Sequence, residues 1–563
     1  METASGILRY SPENERMTSV LSVFREFFDG FIYFFKEVGS MRNRVGTYAR
    51  RAFFGGALLG LLAGGAFGCT AVFVGKDASA TGHPLVARME DGASAVSKYL
   101  VVTPARELQP GETEVFYNGL EWGYPEGMTK SLKFFSMPDF CYEDHSEDSW
   151  DGGLWPYSAA GVNSEGVVIT ATETEDRNDL SNVADPGTPN GVEECMIPAL
   201  VLPRARTARE GILLLGAAVE KYGSAEDPYN EGYGEIAGLA IADRDEIWYM
   251  EYAGHQWAAV RIPDDMYVVN GNITRIDGFD VEDALGEQKN FMGSPGVYSF
   301  AVEHNLPGAE PGQEKNFDFA QAYGDVSDEN MAKGSGIRNW WGHRWFSPSV
   351  KQEPGKARYP FLMKPDKPIS VQDIMAFFGS DSYTYEEDFD FEGYRVISRK
   401  SNMESHIFEM GETDSVPWQI GVVMWMGLGP VMDSVYLPFH GDIQASPAGY
   451  TEGTDVYDST SASWAFRSPS ALVRQNSEWQ KRLRNFWGEY QKDLLVQQKE
   501  SAARALDIWN QGDPEKAVAL LSQEDVARAE KAVAVARALE AQLITALAME
   551  DEDAFDPKVE DFR

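Results

Sequence analysis

The sequence predicts an α+β domain with a helical C-terminal segment, and three observations carry that expectation. Short alternating or β-branched runs recur between clusters of turn residues, as strands do. Residues 195–222 and 470–548 have the composition of helices. The 563 residues are 43% hydrophobic and 12% aromatic, with 53 glycines and 14 tryptophans. That is enough apolar side chain for a large core and enough glycine for many turns.

Taken in order, the chain opens on residues 1–40, an N-terminal extension of unassigned role. Within it residues 19–38 are aromatic-rich, but Arg25, Glu26, Asp29, Lys36 and Glu37 interrupt the run and make it a poor membrane span. Met41 opens a better leader. Arg42, Arg44, Arg50 and Arg51 form a positive start, and an apolar run follows to Phe67. Ala66 and Gly68 occupy the −3 and −1 positions of a cut before Cys69, so residues 41–68 read as a signal peptide. Arg50-Arg51 also resembles a twin-arginine export signal. The run is shorter than the roughly 20 residues of a membrane span. A retained anchor and a lipoprotein box ending at Cys69 are the alternatives. Export machinery and a signal peptidase are the implied partners, and the periplasm or the outside of the cell the implied location.

Beyond Cys69, residues 70–75 and 85–89 read as a hairpin, with 77–84 as its turn. Residues 166–172 read as a strand. The helix over 195–222 has a capping pattern at Thr207 and Glu210 and a stop at Gly223. Residues 236–242, 246–252, 257–261 and 267–270 form an antiparallel run. Residues 275–390 are mixed, and strands return at 395–398, 405–409, 420–426 and 434–438. The helical stretch 470–548 breaks near Gly512-Asp513-Pro514. The body is one α+β unit over 69–490, followed by a helical and acidic segment over 491–563. Trp248, Trp257 and Trp425 lie in strand runs and are expected in the core.

The net charge of −39 disfavours nucleic acid, whose phosphates would repel it, and a basic membrane-surface role. Cys69, Cys141 and Cys195 are too few for a disulfide framework. A Cys141–Cys195 bridge and three separate thiols are both open. The seven histidines are scattered, and no GxSxG, HExxH, P-loop or CxxC pattern is present, so neither metal nor cofactor is expected. What remains is Cys69 with Arg88 and Asp91. A hairpin joins its outer ends, which brings Arg88 and Asp91 toward Cys69. A guanidinium beside a thiol favours the thiolate, and a carboxylate there would hold an amine freed at Cys69. An ordinary surface hairpin with an Arg–Asp pair is the plainer alternative.

Cys69-Thr70-Ala71-Val72-Phe73-Val74-Gly75, followed by Ala87-Arg88-Met89-Glu90-Asp91-Gly92, resembles the mature N-terminus of peptidase family C69, the dipeptidase A group of N-terminal nucleophile hydrolases. Gly161-Val162-Asn163-Ser164-Glu165-Gly166 is similar to the family's second block. Arg204 to Gly223, Asp243 to Asp265, Arg395-Val396-Ile397-Ser398-Arg399 and Ser434-Val435-Tyr436-Leu437-Pro438 continue the likeness in order. The resemblance implies a four-layer αββα fold and amide hydrolysis of short peptides without metal. It implies Cys69 as nucleophile, with Arg88 and Asp91 matching the Arg-x-x-Asp pair of related acylases. It also implies an oxyanion asparagine, for which Asn270 is favoured and Asn272 is the neighbour, assigned here to substrate binding. A later arginine is expected among Arg338, Arg344 and Arg399, with Arg344 assigned to substrate. An acylase of the penicillin V or bile salt type and a lipid-anchored binding protein are the competing functions. A homo-oligomer is an open option.

Overall fold

The computed structural model describes residues 68–92, 96–140, 158–173, 177–226, 234, 236–326, 331–383 and 389–563. The N-terminal extension, the leader up to Phe67, and Cys141 lie outside the described residues. The described residues form one compact unit.

Among the described residues, sixteen strands make up the sheets: β1 (Thr70–Val74), β2 (Leu85–Asp91), β3 (Val101–Thr103), β4 (Thr113–Val115), β5 (Glu121–Gly123), β6 (Phe134–Pro138), β7 (Ser158–Asn163), β8 (Val168–Glu173), β9 (Ile236–Ala242), β10 (Ile247–Ala253), β11 (Gln256–Arg261), β12 (Tyr267–Asn270), β13 (Phe291–Gly293), β14 (Asn402–Met410), β15 (Val422–Leu428) and β16 (Tyr436–His440). A six-stranded sheet runs β12-β1-β2-β14-β15-β16, and an eight-stranded sheet runs β13-β11-β10-β9-β8-β7-β6-β3. Strands β4 and β5 pair as a separate ribbon. The helices that matter here are α1 (Ile197–Val201), α2 (Ala208–Tyr222), α3 (Ile337–Phe346), α4 (Val371–Phe378), α5 (Ala462–Val473), α6 (Ser477–Asn510) and α7 (Pro514–Met549).

The period-two alternation of β1 shows why the layers form. Ala71 and Phe73 point one way, into a core shared with Val162, Val168, Ala240 and Tyr249 of the other sheet. Val72 and Val74 point the other way, against Trp340 and Trp341 of α3 and Ile374, Phe377 and Phe378 of α4. On the outer face of the eight-stranded sheet, Leu239, Ile241, Trp248 and Trp257 pack against Leu200 of α1 and Ile212, Leu215 and Val219 of α2. The order is helix, sheet, sheet, helix, the four-layer αββα arrangement of N-terminal nucleophile hydrolases. Trp248, Trp257 and Trp425 are buried.

Three sequence expectations change. The helix over 195–222 is broken after Val201. Pro203 has no N–H to donate and disfavours helical geometry in the residue before it. The second part restarts at Ala208, capped where the Thr207 side chain accepts from the Glu210 N–H, and stops at Gly223, whose φ of 71° suits glycine. Residues 395–398 are loop rather than strand. The Arg395 side chain serves the site described below. Residue 490 lies in the middle of α6, so the C-terminal helices continue the body. Trp479, Phe486 and Trp487 of α6 and Val535, Leu539 and Leu543 of α7 belong to the same apolar cluster as Leu437 and Phe439 of β16. Helix α7 is long and apolar enough to cross a membrane by composition. Its apolar stripe is packed in that cluster instead.

Candidate active site

Cys69 stands directly before β1, which is clamped between β12 and β2. The register places Ala71 opposite Arg88 and Thr70 opposite Met89. The Arg88 guanidinium therefore reaches back along the strand. Its Nη2 donates to the Cys69 Sγ at 3.2 Å and to the Glu90 Oε2 at 3.0 Å. Arg88 and Glu90 share one face of β2, two residues apart. Lys98 Nζ lies 3.0 Å from Glu90 Oε1 and 2.8 Å from Oε2, and it also pairs with Asp139. A chain of alternating charge thus runs from the thiol through Arg88, Glu90 and Lys98 to Asp139.

This chain sits between the sheets, with Arg88, Glu90 and Lys98 all buried. Burial alone would lower the Arg88 pKa, but the charges of Cys69, Glu90, Glu194 and Glu404 hold it well above its ordinary value. Burial works to raise the Glu90 carboxyl, but Lys98 and then Arg88 bring it below the usual range. Arg88 therefore stays a fixed cation beside the sulfur, the setting that favours a thiolate. His406 of β14 stands opposite Arg88 of β2 in the strand register. His406 Nδ1 lies 3.1 Å from Glu404 and its Nε2 2.9 Å from the Thr170 hydroxyl.

A second group surrounds the Gly68–Cys69 peptide bond. Arg395 Nη2 donates both to the Gly68 carbonyl and to Asp91 Oδ2, and Asn402 Nδ2 donates to Asp91 Oδ1. Asp91 is thereby brought to the N-terminal side of Cys69, through Arg395. Arg338 Nη1 donates to the Cys69 carbonyl and to Thr70 Oγ1 at 3.2 Å, while its Nη2 donates to Asn272 Oδ1 at 3.0 Å. A single turn of π-helix, Ala332–Gly336, precedes Arg338 on α3, a distortion often found at functional sites. At Gly68 an added Cβ would fall 2.6 Å from Asn272 Oδ1 and would also collide with Arg395. The closeness of those two side chains explains the need for a small residue there.

The two asparagines part company. Asn270 ends β12, and its Nδ2 donates to the Tyr249 hydroxyl at 2.9 Å and to the Ile273 carbonyl at 3.4 Å. Its Oδ1 accepts from Arg275 at 3.2 Å. Asn270 is thus tied to the opposite sheet, and Asn272 is tied through Arg338 to the Cys69 main chain. Among the three late arginines, Arg338 is the one at Cys69. Arg344, assigned to substrate from the sequence, is partly exposed near the far end of α3. It lies six residues, or about 9 Å of helix rise, beyond Arg338. Arg399 lies beside Arg395 in the loop before β14.

Sequence reasoning passed over Glu90, Lys98, Glu194, Glu404, His406, Asn402 and Arg395 as individuals. One signal was available. Asn402, Glu404 and His406 recur at period two in a strand that is buried at every residue but Glu409, and polar residues in that pattern need partners across the core.

The sequence profile of peptidase family C69 matches residues 68–491. Probable dipeptidase B of Lactococcus lactis subsp. lactis (strain IL1403) is 30% identical over 430 residues, 74% of this chain and 83% of that protein. Probable dipeptidase of Salmonella dublin is 33% identical over 409 residues, 71% of this chain and 86% of its own length. Penicillin V acylase from Agrobacterium tumefaciens, a solved structure, aligns over 66% of this chain and 86% of its own, at 12% identity and a TM-score of 0.29. The fold assignment rests on the layer order above, not on that likeness. With a profile match that covers most of the chain and begins one residue before Cys69, this chain belongs to peptidase family C69.

Proposed function

We propose that the protein is an exported dipeptidase that works through Cys69 as an N-terminal nucleophile. The observation that carries this reading is the thiol of Cys69 held beside Arg88, with charged side chains gripping the carbonyls on both sides of the residue. The printed names of the relatives, dipeptidases, support the substrate class. The leader pattern over residues 41–68 supports export.

Removal of residues 1–68 would leave the thiol and a free α-amine on one residue, a nucleophile with its own base. An α-amine has an ordinary pKa near roughly 8, so part of it is neutral at working pH. The amine takes the thiol proton, directly or through a water. The thiolate attacks the peptide carbonyl, and main-chain N–H groups with an asparagine amide receive the oxyanion. Each such donor is worth about 3–4 kcal/mol in other hydrolases. Asn272, whose Oδ1 accepts from the Arg338 guanidinium that also holds the Cys69 carbonyl, is the asparagine assigned to this role. The charged amine then protonates the leaving nitrogen as the C–N bond breaks. Water attacks the thioester by the same sequence and restores the thiol. Asp91, close to the new terminus through Arg395, holds the ammonium in place.

A panel of dipeptides set against acylated non-peptide amides tests the assignment. Turnover of dipeptides, unaffected by a chelator, is the expected result. Turnover confined to the acylated amides would move the protein to the penicillin V or bile salt type, and strong inhibition by EDTA would point to a metallopeptidase.

A further inference from the structure

A dipeptide carries a positive charge one carbon away from the carbonyl that reacts. An N-acylated amide of the same size does not. The site holds a buried group matched to that difference. Glu194 lies on the short turn Glu194–Met196, with its side chain 8% exposed. Its Oε1 is 3.9 Å from Arg88 Nη2, the nitrogen that also donates to Cys69 Sγ. At 3.9 Å the contact is too long for a hydrogen bond. Glu90 hydrogen-bonds Arg88, and Glu194 pairs with the same guanidinium at the longer distance.

The turn is rigidly seated. The Val192 N–H donates to Gly223, the Val192 carbonyl accepts from Ala225, and Cys195 Sγ lies 3.2 Å from the Tyr117 hydroxyl. Met196 and Ile197 are buried against the eight-stranded sheet. Through the shared nitrogen, the thiol and the Glu194 oxygen are at most about 7 Å apart. A dipeptide has the reach to cover that distance. Its carbonyl carbon sits roughly 3–3.5 Å from the sulfur. Its α-nitrogen lies about 2.5 Å further by covalent geometry. A charge-assisted bond adds about 2.8 Å along a bent path. Charge points the same way. Among the described residues, the carboxylates Glu90, Asp139, Glu194 and Glu404 act on the Arg88–Lys98 pair of cations. An arriving ammonium gives Glu194 a counter-charge of its own, beside the Arg88 guanidinium that it shares with Glu90.

We infer that Glu194 is the anchor for the free α-ammonium of the substrate, and so selects unblocked peptides over N-acylated ones. This rests on the dipeptidase reading. The test compares kcat/KM for a dipeptide and its N-acetyl form in mature wild-type enzyme, Glu194→Gln and Glu194→Asp, with thermal unfolding followed for each. Wild type should favour the free amine. In Glu194→Gln that preference should fall at least tenfold, mainly through KM, and Glu194→Asp should recover part of it. Equal losses on both substrates would mean that Glu194 acts only through Arg88 and would overturn the inference, as would an unchanged preference in Glu194→Gln. Should Glu194→Gln fail to fold, an unchanged preference in Glu194→Asp with unaltered KM would overturn it too. Wild type that cleaves neither substrate refutes the dipeptidase reading itself, and the anchor with it.

Discussion

Cys69→Ala should abolish peptide hydrolysis while leaving the fold intact. The residue is 7% exposed and contributes one sulfur to the packing. Its side chain accepts from Arg88, which keeps Glu90 as a partner when the sulfur is gone. The structural cost is therefore small. The chemical cost is the whole covalent route, on the order of 10⁴-fold or more in rate, the scale on which hydrolases respond to loss of the nucleophile. Cys69→Ser should retain a trace at most, because an alcohol is the weaker nucleophile near neutrality. Steady-state assays on protein with a verified N-terminus, paired with thermal unfolding, check both variants. Near-normal turnover in the alanine variant would discard the mechanism.

Lys98→Met should be strongly destabilising, and more so at alkaline than at acid pH. The Lys98 ammonium is fully buried and bridges Glu90 and Asp139. Methionine preserves most of the length and removes the charge. Breaking a buried pair from one side costs about 3–5 kcal/mol, since the remaining charge is left uncompensated. The pH dependence follows from the carboxyls. Burial pushes Asp139 above the usual carboxylate range even with Lys98 present. Glu90 is held below that range by Lys98 first and Arg88 second, against its burial. Without Lys98, both carboxyls move upward. A carboxyl whose folded pKa lies above its unfolded value stabilises the fold fully below the unfolded pKa. That contribution is lost as pH rises through the folded pKa. Urea unfolding at about pH 5 and about pH 8 should therefore show the larger deficit at the higher pH. An equal deficit at both would mean that lost packing, rather than uncompensated charge, is the cause.

The sequence revealed what depends on neighbours along the chain. Alternation in residues 70–75 and 85–89 was enough to place the first hairpin, and the hairpin was enough to bring Arg88 toward Cys69. Thr207 and Gly223 marked the ends of α2 because caps are local chemistry. What depends on distant pairing stayed hidden. Arg395 reads as part of a strand and acts as a loop residue clasping Asp91, 304 positions away. Lys98 has no signature of its own until β2 and the segment ending at Asp139 are brought together. The sequence favours Asn270 over Asn272, whereas their partners, Tyr249 and Arg338, tie Asn270 to the opposite sheet and Asn272 to the Cys69 main chain. The C-terminal helices read as an appendage because helical composition does not say what a helix packs against. Trp479 and Leu539 place them in the main core.

The most direct measurement is the N-terminal residue of the active enzyme. Intact mass and N-terminal sequencing of the fraction that carries the activity would give it. The account predicts a chain that begins at Cys69 with an unmodified α-amine. An active form that keeps Gly68, begins at another residue, or carries an acyl group on Cys69 would contradict it.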